Sequence, residues 1–167
     1  FKAYPNDDRK EWNYMTEWKI KSGEIIPYTE SADKLPAISK YYDYDEGAPG
    51  KSAQSNGITC IYRYAEVLLM YAEASTRATN TVNQDALNAI QEVQKRAGYQ
   101  DRQIELTTTT EPTAFLAAVS NERGWEFFAE MKRWFELVRL EKVKEVRAEE
   151  WDASTFNTNH HYYSPVP

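Results

Sequence analysis

The chain has 167 residues, a net charge of −6, 14% aromatic residues and one cysteine. That length suits one ordinary domain, able to bury roughly 70% of its unfolded surface. The acidic balance argues against a general nucleic-acid binder, and a lone cysteine excludes an internal disulfide. No run approaches the roughly 18 apolar residues that a membrane span needs.

The opening, Phe1-Lys2-Ala3-Tyr4, carries no initiator methionine and no signal pattern, as expected of a mature product or a piece of something longer. Residues 1–60 read as loop-rich with short strands. Trp12, Tyr14, Thr16, Trp18 and Ile20 alternate at period two, which predicts a half-buried strand. Ser22-Gly23 marks a turn. Glu24 to Thr29 reads as a short return strand at an edge, because of Pro27, and Pro36 to Tyr44 as another extended piece. Glycine, proline and serine crowd 45–57, which reads as a loop. Cys60, beside an apolar helix start, is expected to be a buried, inert thiol.

Helical spacing begins at Ile61. Ile61, Tyr64, Ala65, Leu68, Tyr71, Ala72 and Ser75 keep one stripe to about Thr79, and Val67, Leu69 and Met70 add apolar surface on other sides. This helix should be central. After a polar break at 80–83, a second helix runs from Gln84 to Ala97 and stops at Gly98, a C′ glycine. The short gap favours an antiparallel hairpin. A third helix begins with Thr110 as its cap and Pro112 in the first turn. Its length demands a kink or stop near 130–132, followed by a shorter helix through Arg139. Residues 141–150 are charged and helix-prone, and the tail, 151–167, is extended. Successive helix pairs point to a helical-repeat arrangement.

The stretch from Asn121 to Arg139 is the most chemically loaded. Phe127, Met131, Trp134 and Val138 share one stripe, which predicts burial, while Glu122, Glu126 and Glu130 form a like-charged row. Buried carboxylates need cations. Arg123, Arg133 and Arg139 lie within reach in sequence, so the row reads as structural ion pairing. A carboxylate pair for glycoside hydrolysis, Glu126 with Glu130, is the catalytic alternative. No nucleotide-binding, nucleophile-elbow or zinc-protease motif occurs. His160 and His161 are the only histidines and would need zinc ligands from elsewhere. Asp43 to Gly47 departs from a calcium loop in glycine position and lacks the closing glutamate. No metal and no cofactor is expected.

Trp12, Tyr14, Trp18 and Tyr44 are the candidate ligand-binding residues, since flat rings bind the apolar faces of sugars. Spacing alone favours the plainer reading, in which they plug a small core against the helices.

Three segments carry a resemblance. Arg63-Tyr64-Ala65-Glu66-Val67-Leu68-Leu69-Met70-Tyr71-Ala72-Glu73-Ala74 resembles the Arg-x-Ala-Glu/Asp-Val-x-Leu-x-Tyr-Ala-Glu-Ala helix of the SusD/RagB family of nutrient-binding outer-membrane lipoproteins of Bacteroidetes-type bacteria. Ala86 to Gly98 is similar to its Ala-Leu-x-x-Ile-Asn-x-Val-Arg-x-Arg-Ala-Gly helix. Glu122, Arg123, Glu126, Glu130, Arg133, Trp134, Leu137 and Arg139 match its Glu-Arg-rich motif. Asp8-Arg9 and Lys40-Tyr41 are weaker landmarks. Gln91, Gln94, Met131 and Glu136 depart from the family's Asn, Arg, Gly and Asp.

The resemblance implies a mostly α fold of tetratricopeptide-like helix pairs, an α-α superhelix, with a loop-rich N-terminal portion carrying short strands. The expected division is 1–60 loop-rich, 61–150 helical core and 151–167 tail, the whole being a C-terminal fragment of a longer protein. It implies a non-catalytic, surface-exposed outer-membrane lipoprotein that binds an oligosaccharide or other nutrient. Such a protein delivers its ligand to a SusC-like TonB-dependent transporter and touches the membrane only through an N-terminal lipid anchor absent from this chain. It also adds Arg63 and Arg96 as partners for the glutamate row. The alternative is a helical-repeat protein-interaction module with no sugar site.

Overall fold

A computed structural model describes residues 4–20, 22–41 and 60–146. The chain divides between Glu126 and Phe127 into two compact units, each described by itself.

In the first unit, the Asp7 side chain accepts from the Arg9 backbone N–H at 3.0 Å and starts α1, Asp8–Asn13. Asp8 and Glu11 suit the positive end of that helix. This local cap overrides the alternation that begins at Trp12, so the expected single strand does not form. Trp12 stands on α1, Tyr14 on β1 (Tyr14–Met15) and Trp18 on β2 (Glu17–Lys19). The two strands join different partners. β3, Ile25–Pro27, pairs antiparallel with β2, setting Trp18 against Ile26. β4, Ala37–Ile38, pairs antiparallel with β1, setting Tyr14 against Ile38. Each ladder has two strands, which is where Pro27 is tolerated.

The hydrophobic core lies among three helices: α2 (Tyr64–Thr79), α3 (Gln84–Arg96) and α4 (Pro112–Glu126). Leu69, Ala72, Ala86, Ile90, Val93, Phe115 and Val119 are fully or almost fully buried there. The four residues between α2 and α3 fold the chain back into an antiparallel hairpin. Asn80 supplies the left-handed stop at φ 50°, and the Asn83 side chain caps α3 by accepting from Ala86 N–H at 2.8 Å. α2 is less enclosed than its sequence suggests. Its buried row is Ala65, Leu69, Ala72 and Thr76, whereas Tyr64, Val67, Met70 and Tyr71 are exposed. Both sides of α2 are apolar, but among the described residues only one is covered. Cys60, four residues before α2, is exposed, contrary to the expected buried thiol. Its neighbours Ile61 and Tyr62 are exposed as well.

α3 ends at Gly98, φ 80°. The following loop is strapped to α3 by side-chain amides. Gln91 Nε2 donates to Thr107 C=O at 2.8 Å, and Thr107 N–H donates to Gln94 Oε1 at 2.9 Å. Pro112 opens α4, and the Glu111 carboxylate accepts from Thr113 and Ala114 N–H. The cap is therefore Glu111, not Thr110. These bonds hold the Glu111 carboxyl below the usual range.

In the second unit, Ala129 and Met131 both adopt left-handed φ, 62° and 59°. α5, Arg133–Arg139, and α6, Val143–Val146, follow, with Phe127, Leu137 and Val143 buried. The break thus falls at Glu126, earlier than expected, and Glu130 lies off the helix. Phe127, Met131, Trp134 and Val138 then share no continuous helix. Of these only Phe127 is buried, while Met131, Trp134 and neighbouring Phe135 are exposed.

Candidate functional site

Two features of the first unit bear on function: a buried ion cluster and a dispersed set of aromatic side chains.

The cluster is centred on Arg9, which α1 carries inward. Its Nη1 donates to Glu122 Oε1 at 2.6 Å and to Glu126 Oε2 at 2.9 Å. Its Nη2 and Nε donate to Asp7, at 2.6 Å and 3.3 Å. Its guanidinium carbon sits 5.8 Å from the centre of the Tyr99 ring. Glu126 receives two more cations, Arg63 Nη1 at 2.7 Å and Arg96 Nη2 at 2.5 Å. The Glu126 carbonyl, at the negative end of α4, accepts from Arg63 Nη2 and Lys40 Nζ, both at 3.0 Å. Glu122 completes its shell with neutral donors. Its Oε2 accepts from Tyr99 O–H at 3.0 Å and Gln94 Nε2 at 3.3 Å.

Asp7, Glu122 and Glu126 thus face Arg9, Arg63 and Arg96, three charges of each sign. The two glutamates fare differently. Burial pushes the Glu122 carboxyl up, and Arg9 does not fully offset it. Burial also acts on Glu126, but Arg96, Arg63 and Arg9 together hold its carboxyl below the usual range. Around Arg9, burial opposes the charge, yet bonding to Asp7 and the field of Glu122 hold the guanidinium firmly protonated. Burial raises Tyr99, with Glu122 adding to the effect.

Of the residues read as ion-pairing from sequence, Arg63, Arg96, Glu122 and Glu126 come together here. Arg123, on α4, reaches Glu66 on α2 at 3.7 Å instead. Arg133 bonds Glu136 within α5 at 3.2 Å, and Arg139 is exposed in the last turn of α5. Arg9, Asp7, Gln94 and Tyr99 were missing from that reading. Arg9 offered a signal, as half of the Asp8-Arg9 landmark, but its glutamate partners lie more than 110 residues away.

The candidate ligand residues are dispersed. Trp12 is 70% exposed on α1. Tyr14 is half-buried and meets the Tyr4 ring edge-on at 5.5 Å between centres. Trp18 is half-buried in the β2–β3 ladder. Tyr44 lies outside the described residues, as do the Asp43–Gly47 stretch and both histidines. Tyr4 O–H donates to Trp125 C=O at 2.6 Å, and Asn13 Nδ2 donates to Tyr4 Oη at 2.7 Å. The Tyr4 ring that Tyr14 meets is therefore tied to both α1 and α4. Among the described residues no group of three or more histidine, cysteine, aspartate or glutamate side chains could hold a metal ion. No helix among them is long and apolar enough to cross a membrane.

The chain is similar to SusD-like protein P2 of Formosa agariphila, 28% identical over 183 residues covering 99% of this chain. It is also 28% identical to SusD-like protein P25 of the same organism, over 80% of this chain. It spans 36% and 25% of the lengths of those two relatives. A crystal structure of a SusD superfamily protein from Parabacteroides distasonis superimposes with a TM-score of 0.67 at 27% identity, covering 83% of this chain and 29% of that one. A SusD homolog from Bacteroides thetaiotaomicron shares the fold with a TM-score of 0.63 at 22% identity, covering 95% of this chain and 36% of that one. The mostly helical, tetratricopeptide-like architecture is common ground with these structures. Residues 3–166 match the family model described as the SusD family, and the chain belongs to that family.

Proposed function

We propose that this chain is part of a non-catalytic glycan-binding component of a polysaccharide uptake system. It sits at the cell surface as an outer-membrane lipoprotein and passes oligosaccharide to a SusC-like TonB-dependent transporter. The observation that carries this reading is the family match across residues 3–166. The division into a loop-rich part (1–60), a helical core (61–150) and a tail (151–167) belongs to the same reading, as does ligand contact through Trp12, Tyr14, Trp18 and Tyr44.

The ion cluster supports a binding protein over an enzyme. A glycosidase acid needs a carboxyl held near neutrality and open to substrate. Glu126 has a side chain 1% exposed, bonded to three guanidiniums, with its carboxyl driven down. One observation favours a second reading, a protein-docking surface without a sugar site. Tyr64, Val67 and Tyr71 recur at i, i+3 and i+7 and are all exposed on α2.

The test is a glycan-array screen of the full-length protein, paired with affinity purification from its native membrane. Glycan binding together with a co-purifying TonB-dependent transporter is expected. Transporter capture with no glycan bound would favour the second reading, and hydrolysis of arrayed glycans would overturn the non-catalytic assignment.

A further inference from the structure

We propose that Trp12, Glu11, Asp8 and Arg102 form a surface subsite for neutral glycans rather than uronate-bearing or sulfated ones; the proposal rests on the glycan-binding reading above.

The backbone of the platform is anchored. Ser39 Oγ donates to the Trp12 carbonyl at 2.6 Å, and Ser39 N–H donates to the Asn13 carbonyl at 3.0 Å. Arg9 and Asn13, on the same helix, are buried. The backbone beneath Trp12 is thus fixed on both sides while 70% of the residue faces solvent. An exposed indole on an anchored backbone offers a stacking face.

The same helix carries polar groups of defined direction. Arg102 Nε donates to Asp8 Oδ1 and Arg102 Nη2 donates to Glu11 Oε1, both at 2.8 Å. Glu11 and Trp12 lie three and four residues beyond Asp8, so each neighbours Asp8 on the surface of α1. Asp8 is itself located, because its N–H donates to Ala97 C=O at 3.1 Å. Of the roughly four acceptor positions of the Glu11 carboxylate, Arg102 takes one. The Glu11 side chain is 67% exposed and can accept sugar hydroxyls.

The charge balance selects the class of sugar. Two carboxylates surround one guanidinium, and that guanidinium already serves both. The whole chain carries −6. An acidic sugar would meet repulsion with no uncommitted cation in the trio, whereas a neutral ring loses nothing.

Isothermal titration of the full-length protein tests this with neutral gluco-, manno- and xylo-oligosaccharides against oligogalacturonate. Neutral ligands should bind, weakened at least about tenfold by Trp12→Ala and about threefold by Glu11→Gln, and held within about threefold by Trp12→Tyr, which keeps a stacking ring. Undiminished binding by Trp12→Ala, with its melting temperature unchanged, would overturn the subsite and leave the glycan-binding reading standing. Tighter binding of oligogalacturonate would overturn the neutral class. Failure of any glycan to bind would overturn both the subsite and the reading on which it rests.

Discussion

The Arg9 guanidinium bonds Glu122 at 2.6 Å across 113 residues of sequence, inside a site where Glu122 is fully buried. That bond, with the ones to Asp7 and Glu126, ties the segment before the ladders to α4. Removing Arg9 would take the central guanidinium away from three buried carboxylates, Asp7, Glu122 and Glu126. Arg9→Met should therefore lower stability by about 3–5 kcal/mol, the range for breaking a buried ion pair from one side. Arg9→Lys should recover only part, because an ammonium cannot present the planar fork that spans Asp7 and both glutamates. Urea unfolding midpoints of the two variants check this, and equal midpoints for Lys and wild type would sink the geometric argument.

Gly98 faces two constraints at once. Its φ of 80° is strained for any side chain, and an added Cβ would fall inside contact distance of the Asp8 carboxylate. Gly98→Ala should cost about 2 kcal/mol or more, of which the left-handed backbone accounts for about 1–2 kcal/mol. Repeating the change in an Asp8→Ala background separates the two. The cost should shrink to the backbone share alone, read as the coupling in a double-mutant cycle of thermal unfolding.

Local chemistry explains what the sequence revealed. Asn83, Gly98 and Pro112 act within a turn of their own positions, so the ends of α3 and the start of α4 were legible to within a residue or two. The end of α4 was not, for Glu126 is followed by neither glycine nor proline. Lys40 and Arg63 bond its carbonyl from far away in sequence, and no local pattern encodes that. The covered side of α2 was equally hidden. Leu69 and Met70 are equivalent in hydrophobicity, and only the packing of α3 and α4 decides that Leu69 goes inside. The polar shell of Glu122 escaped for a related reason. Gln94 departs from the family's arginine, and its role shows only once Thr107 is seen orienting its amide.

Met131 holds a left-handed φ of 59° and is 87% exposed. Its side chain therefore contributes little packing, while its backbone carries the strain of an L-residue in that region, about 1–2 kcal/mol. The motif it resembles has glycine here. Met131→Gly relieves the strain but loosens the unfolded chain by about 0.4–1 kcal/mol. A net gain of up to about 1.6 kcal/mol follows, visible as a raised melting temperature. A fall in melting temperature would show that the methionine side chain holds the turn.

The two glutamates of α4 should shape the pH dependence of stability in opposite directions. Glu122 faces Arg9 from α1, Gln94 from α3, Tyr99 from the following loop, and Glu126 one turn along its own helix. Its folded pKa is raised, so between the ordinary glutamate value of about 4.3 and that raised value the native state binds more protons than the unfolded one. Its contribution therefore increases as pH falls through the raised value, then levels off below about 4.3. Glu126 is lowered, so its contribution is complete above about 4.3 and is lost as pH falls through its folded value. Together they place the stability maximum near the ordinary glutamate value, about 4.3. Urea midpoints measured from about pH 2 to 8 should rise as acid is added toward about 4.3 and fall below it. Glu122→Gln should remove the rise, and Glu126→Gln should flatten the acid limb while costing more at neutrality, since it strands three guanidiniums rather than one. A midpoint that declines steadily from neutrality in the wild-type protein would mean that Arg9 fully compensates the burial of Glu122.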